Sequence, residues 1–230
     1  MVKFVIDFQA WIRSLEEAAK QRRYGEAIDI GEEILARGQN AISKEEQGHV
    51  RAIIAEQYLL QWNASRPRDR ALLEKGRLHA LWVEKNRASI DRSDAARSAA
   101  AAAGMFAAQK KIATALETIK TARSEFPESP QIANMQGVIY MTRRQAGDVE
   151  RAINSFTAAE SLAGSEEFMV ALSWLNRAIA QKGLGQEEAA IQCAVWSEEL
   201  FRNMKDDPLA IQFWRRAKNM IPHAIEDRFA

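Results

Sequence analysis

Only one cysteine, Cys193, occurs in 230 residues. No disulfide can form within such a chain, and a reducing compartment, by default the cytoplasm, is the expected setting. Proline (5) and glycine (11) are scarce, which argues against a loop-rich or all-β chain and leaves good helix formers to dominate. Charge of one sign is missing too: 32 Lys and Arg against 31 Asp and Glu give a net +1. The chain therefore has no global attraction for polyanions, and a nucleic-acid contact needs a local basic patch. Long apolar runs are also lacking. The alanine-rich stretch ending at Ala108 reaches about a dozen residues before Lys110 and Lys111, short of the roughly 20 that span a bilayer. Asp7 interrupts the apolar N-terminus before a signal-peptide core is complete. Neither an export signal nor a membrane span is expected.

Signatures of chemistry are equally thin. His49, His79 and His223 fall on different predicted helices or termini, with no second His or Cys at ligand spacing and no HExxH or CxxC pattern. No metal and no cofactor is expected. Cys193 sits among Ala189, Ala190, Ala194 and Val195, the setting of a buried structural thiol. Gly183-Leu184-Gly185 lacks the Lys-Ser/Thr pair and the preceding strand of a phosphate loop. Acidic pairs at 16–17, 32–33, 45–46, 166–167, 187–188 and 198–199 read as solvated helix faces and dipole complements, not acid-base machinery. The chain is expected not to be an enzyme. The six tryptophans, at 11, 62, 82, 174, 196 and 214, are expected as core anchors, with Trp62 and Trp214 near helix ends and open to exposure.

Apolar spacing predicts helices throughout. Phe4, Phe8, Trp11, Ile12, Leu15, Ala18 and Ala19 mark a first helix over 3–21; Ala27, Ile30, Ile34 and Leu35 mark a second, stopped by Gly38 at C′. Ser43 with Glu46 forms a capping box that starts a third helix, which ends before Pro67. A fourth helix covers 68–90 with Leu72, Leu73, Leu78, Leu81, Trp82 and Val83, and a fifth covers 94–108 behind a cap at Asp91 or Ser93. The sixth ends at Phe126-Pro127, and Ser129-Pro130 starts the seventh. Gly147-Asp148 and Gly164-Ser165 read as a stop followed by an N-cap, Gly183 to Gly185 as the turn before the tenth helix, and Asp207-Pro208 as the start of the last.

A repeat runs through this pattern. Ala115, Ile119, Ala122 and Phe126-Pro127 in one stretch are echoed by Ala152, Phe156 and Ala159 in the next. Gly137 precedes Tyr140 by three, and both Trp11 to Ala27 and Trp174 to Ala190 span sixteen. These residues resemble the tetratricopeptide repeat (TPR), a helix-turn-helix unit that stacks into a solenoid. The resemblance is clearest over 94–203, weaker over 8–38 and divergent over 43–90, where the repeat alanine would be Ala71. Ala27, Ala71 and Ala115 are 44 apart, and the next steps are 37 and 38, so the units are stretched against a period of roughly 34. The fold it implies is all-α: a right-handed solenoid of antiparallel helix pairs, about five of them, in one domain over 1–230, closed by a capping helix at 207–220.

The resemblance also implies where a partner sits, in a groove lined by the first helix of each pair. Carried over residue by residue, the lining is Ala100, Gly104 and Ala107; Asn134, Val138 and Met141; and Leu175, Ile179 and Lys182. This small, apolar face suits an amphipathic helix or extended apolar segment of another protein, as expected of an adaptor, assembly factor or chaperone-like module. Only Asn134 resembles the polar clamp by which some TPR domains hold a chaperone's C-terminal carboxylate, so that ligand is not expected. Packing against a neighbouring repeat is the competing role for the alanines. The second functional class is a nucleic-acid-associated regulator using residues 66–92: from 65 to 92 there are eight Lys or Arg, including Arg66, Arg68 and Arg70, against four Asp or Glu. Interleaved Asp69, Glu74 and Glu84 break any clean basic stripe.

Overall fold

Helix ends, written in short-range side-chain chemistry, divide the chain. The computed structural model describes residues 7–38, 40–65, 68–204 and 207–221. Among them are eleven α-helices and one 3-10 turn, and no strand. The chain forms two compact units, residues 1–111 and 112–230. The first holds α1 (Phe8–Lys20), α2 (Tyr24–Gly38), α3 (Lys44–Ala64), α4 (Arg70–Lys85), the 3-10 turn Arg87–Ser89 and α5 (Arg92–Ala108). The second holds α6 (Ile112–Glu125), α7 (Pro130–Arg143), α8 (Asp148–Ala163), α9 (Glu167–Gly183), α10 (Glu187–Asn203) and α11 (Pro208–Lys218). Phe4, Arg66, Pro67 and His223, named above, lie outside the described residues.

Several caps are those the sequence predicts. Ser43 Oγ accepts from Glu46 N at 3.1 Å while the Glu46 carboxylate accepts from Ser43 N, satisfying two first-turn donors reciprocally. Asp91, Ser129 and Asp207 cap α5, α7 and α11, the last two with proline behind them. Others differ. Gly147, at φ +76°, is the N-cap of α8, and Asp148 is its first helical residue, fully buried. Glu166, not Ser165, precedes α9, with no side-chain cap bond. Gly38 is the last residue of α2 and no left-handed stop; a Cβ there would lie 3.0 Å from the Phe8 ring, so the glycine is needed for close packing. Positive φ at helix ends falls on Gly164 after α8 and Gly185 after α9, as the glycine stops predict, and also on Arg22, Lys110 and Arg144, cations suited to the negative end of a helix.

In the first unit α3 is central, packing on α1, α2, α4 and α5. It buries Val50, Ile53, Ile54, Ala55, Tyr58, Leu59 and Trp62 around its circumference, which is why residues 43–64 show no single apolar stripe. The core joins Ile12, Leu15 and Ala18 of α1 with Ala27, Ile28, Ile34 and Leu35 of α2 and with Val50, Ile53, Ile54 and Tyr58 of α3. Ala71, expected as the small packing residue of α4, is exposed. Gly76 takes that role, since a Cβ there would lie 2.5 Å from Met105 and 2.8 Å from Tyr58. Leu78 and Leu81 are also exposed, on the side of α4 away from its buried residues Leu73, Gly76, His79, Ala80 and Val83.

In the second unit each helix packs on the next from α6 to α11, and α7, α9 and α11 also touch in order. This is nearest-neighbour stacking, the rule of a helical solenoid. Ala115, Ala122, Ala152 and Ala159 are all buried, as packing residues that set helix separation. Ala190 is buried but Ala189 is exposed. The closing role expected of the last helix is fulfilled by α11, which packs on α10 and α9 with Ala210 and Ala217 fully buried.

Small residues recur where neighbouring helices come close. In α2 the small residue is Gly31, whose Cβ position lies 3.6 Å from Leu15 and 2.6 Å from Ile54. In α7 it is Gly137, with Phe156 ring atoms 2.4 to 2.8 Å from the missing Cβ. In α9 and α10 they are Ala178 and Ala194, and Cys193 joins them in the same buried cluster. Cys193 is thus the buried thiol expected, 2% exposed.

Candidate functional site

The expected groove residues of the second unit lie on two adjacent helices. Asn134, Val138 and Met141 are spaced i, i+4, i+7 on α7, and Leu175, Ile179 and Lys182 repeat that spacing on α9. One turn of α7 is joined to α9 by Asn176 Nδ2, which donates to Asn134 Oδ1 at 2.9 Å. Asn134, 8% exposed, therefore spends its carbonyl on helix pairing. Leu175 is fully buried in a cluster with Ala171, Phe201, Ala210 and Ala217, so α10 and α11 occupy its side of α9. Ile179 is partly buried against the same cluster. Val138 and Met141 pack partly against Ala152, Phe156 and Ala180, and Lys182 is exposed. Four of the six thus retain surface: Val138, Met141, Ile179 and Lys182. Ala100, Gly104 and Ala107 lie in the first unit on α5, all buried in a helix that packs on α3 and α4.

Sequence reasoning missed the polar ties that fix this face. Asn176 carries no repeat signal, because its partner is 42 residues away. Arg177 reaches from α9 to both flanking helices, donating through Nη1 to Glu160 at 2.5 Å and through Nε to Cys193 Sγ at 3.2 Å. Glu198, read as half of a solvated acidic pair, is 7% exposed and holds the closing helix: Trp214 Nε1 donates to it at 2.6 Å and Arg202 Nε at 3.0 Å. Burial alone would raise its pKa, but the Arg202 and Trp214 hydrogen bonds outweigh that and hold the carboxyl below its usual range. Among the tryptophans, Trp62 is buried, whereas Trp196 is 39% exposed beside Trp174, ring centroids 5.3 Å apart.

Two histidine networks tie the first unit together. His49 on α3 bridges Asp94 of α5 through Nδ1 and Glu16 of α1 through Nε2, each at 2.8 Å, and Arg97 lies 3.5 Å from Asp94. The Asp94 hydrogen bond raises the His49 pKa against the opposing effect of burial. The charged imidazolium therefore contributes stability fully below the ordinary pKa of about 6.5, and the contribution is lost as pH rises through the higher folded value. Thermal melts from slightly acid to alkaline pH are expected to show the native protein losing its advantage over a His49→Gln variant; parallel curves would contradict this. His79 on α4 behaves oppositely. Burial lowers its pKa, Nδ1 faces Arg51 Nη1 at 3.2 Å and Nε2 faces Glu32 at 3.0 Å. A neutral ring accepting from Arg51 and donating to Glu32 satisfies both contacts, and Tyr58 donates to the same carboxylate at 3.0 Å.

The arginines of the 66–92 segment are largely occupied. Arg68 covers the Trp62 ring at 4.5 Å, Arg77 pairs with Glu74 at 2.8 Å and Arg87 lies 3.6 Å from Glu84. Asp69 is the N-cap of α4, accepting from Ala71 N at 2.8 Å. Among the described residues of this segment no continuous cationic stripe results.

No protein-family model matches the chain, and no curated protein matches it. Solved structures do. Two crystal structures of the nearly identical TPR-like repeats of a Podosopora anserina kinesin light chain align over 86% of this chain and 96% of theirs, at 13% and 15% identity and TM-scores of 0.55 and 0.50. BtubC from P. vanneervenii aligns over 97% of this chain and 92% of its own, at 13% identity and a TM-score of 0.49. The likeness to the two kinesin light chain structures shows a TPR-like helical repeat fold, as the residues predict. No described helix is long and apolar enough to cross a membrane.

Proposed function

We propose that the protein is a non-enzymatic interaction module, an adaptor or assembly factor of chaperone-like kind, that holds an apolar helix or segment of another protein against α7 and α9. The observation that supports this reading is the pairing of α7 with α9 through Asn134 and Asn176, with Val138 and Met141 on α7 and Ile179 on α9 each partly buried and Lys182 exposed. Such residues are already positioned, so little side-chain entropy opposes docking, and a few anchors supply most of the affinity. Lys182 at the row's end suits a carboxylate on the incoming segment.

Affinity capture from the source cells, with the native chain and with Val138→Glu, Met141→Glu and Lys182→Glu, tests the proposal. One discrete protein is expected to copurify with the native chain and to fall about tenfold or more with either apolar-to-Glu change. Lys182→Glu should have a smaller, salt-sensitive effect. Retention of that protein by Met141→Glu, at unchanged helical circular dichroism, would remove this face as the binding site.

A further inference from the structure

The first unit carries a second surface whose composition is unlike the α7/α9 face. Leu78 is 61% and Leu81 39% exposed, the two most exposed leucines among the described residues. They stand three residues apart on the outer side of α4, opposite buried Leu73, Gly76, His79, Ala80 and Val83. Trp82 lies beside them, half-buried, its ring covered on one face by the Arg51 guanidinium at 4.6 Å. Exposed Lys75 precedes Leu78 by three residues, and exposed Lys85 follows Leu81 by four, so helical spacing puts a lysine at each end of one apolar stripe.

The acids nearby are already matched. Glu74 accepts from Arg77 Nη2 at 2.8 Å and from Gln109 Nε2 at 2.7 Å, while Glu84 lies against Arg87. Lys75 and Lys85 have no ion-pair partner among the described residues. Local charge is therefore balanced around the stripe and uncompensated at its two ends.

From this arrangement we infer that the outer face of α4 is a docking surface for an acidic amphipathic helix of a partner protein, which sets two or three apolar side chains on Leu78, Leu81 and Trp82 and carboxylates on Lys75 and Lys85. A polyanion would satisfy the lysines yet leave the aliphatic side chains unmatched, since single-stranded nucleic acid is held by stacking on aromatic faces. Two lysines and two leucines are too few for a bilayer surface, where stable attachment takes a broad apolar face or a polybasic cluster. An acidic helix alone matches both halves of the pattern.

The test uses the full chain and two labelled synthetic helices built from Ala and Leu, one with Glu and one with Lys flanking a Leu stripe at i, i+3 and i+7, read by fluorescence anisotropy. The Glu-flanked helix is expected to bind, with affinity falling as salt rises. Leu78→Asp should weaken it about tenfold or more. Leu78 is mostly exposed, so this variant keeps its thermal midpoint; a lowered midpoint would leave the decision to the lysine pair. Lys75→Glu with Lys85→Glu should abolish binding of the Glu-flanked helix and confer binding of the Lys-flanked one. The inference is overturned if the Glu-flanked helix fails to bind at low salt, if the native chain binds both helices equally, or if the charge reversal changes nothing. It is also overturned if phosphatidylserine vesicles or single-stranded RNA bind in a Leu78-dependent manner where the helix does not, or if sedimentation shows a dimer of this chain that Leu78→Asp dissolves.

Discussion

Replacing Phe156 by alanine is expected to destabilise the second unit by about 3–5 kcal/mol, the cost of emptying a buried aromatic site. Phe156 is 1% exposed, and its ring occupies the space that a side chain at Gly137 would need. The two positions are therefore coupled, and the coupling has a sign. Gly137→Ala in the native background drives a Cβ to within 2.4 Å of the ring, which overpacks the contact at a cost of about 1–3 kcal/mol. In the Phe156→Ala background the same change meets open space, and the better helix propensity of alanine makes it stabilising by up to about 1 kcal/mol. Urea titrations of the four proteins in this cycle check the prediction. A Gly137→Ala effect equal in both backgrounds would mean that the ring and the glycine do not face each other. At Gly31 the close neighbour is instead Ile54 of α3, 2.6 Å from the missing Cβ, with Leu15 at an ordinary contact distance of 3.6 Å.

Asp148→Asn should be the most damaging single polar substitution. The carboxylate is fully buried at the first residue of α8, yet accepts from Arg143 Nε at 2.8 Å, from Gln145 N at 2.8 Å and from Arg151 Nη1 at 3.1 Å. The Arg143 hydrogen bond is the main cause of a pKa far below the usual carboxylate range. An amide at this site turns one acceptor into a donor facing Arg143, leaving a charge-assisted network incomplete, for a loss of about 2–3 kcal/mol at neutral pH. Because the folded pKa is depressed, the native contribution is complete above the unfolded value of about 3.9 and disappears as pH falls through the folded one. The gap in unfolding free energy between native protein and variant should therefore close only below about pH 4. A gap that stays constant through that range would assign the loss to shape instead of charge.

Local chemistry explains what was legible in the sequence. Ser43 with Glu46, Ser129-Pro130 and Asp207-Pro208 act within one turn, so residues three apart state the helix start without reference to the rest of the chain. The repeat alanines were legible for a related reason: close helix approach requires small side chains wherever it occurs. Long-range matters were not. That Leu78 is exposed while Leu73 is buried depends on where α3 and α5 lie, and both residues satisfy an apolar period. Glu16, His49 and Asp94 meet across three helices, and Asn134 meets Asn176 across two, at separations no local pattern records. The same limit applies to the groove. Repeat register places Leu175 beside Ile179 on α9, but only the seating of α10 and α11 reveals that Leu175 is covered.

The central claim is that a protein partner contacts the α7/α9 row, and site-specific photo-crosslinking in the source cells tests it most directly. A benzophenone amino acid is placed at Met141 on the proposed face and, separately, at Asn154 on the exposed side of α8. A single protein adduct is predicted from position 141, none from position 154, and loss of the adduct when Val138→Glu is added. Equal adducts from both positions, or an adduct at 141 that persists with Val138→Glu in a chain that remains folded, would contradict the account.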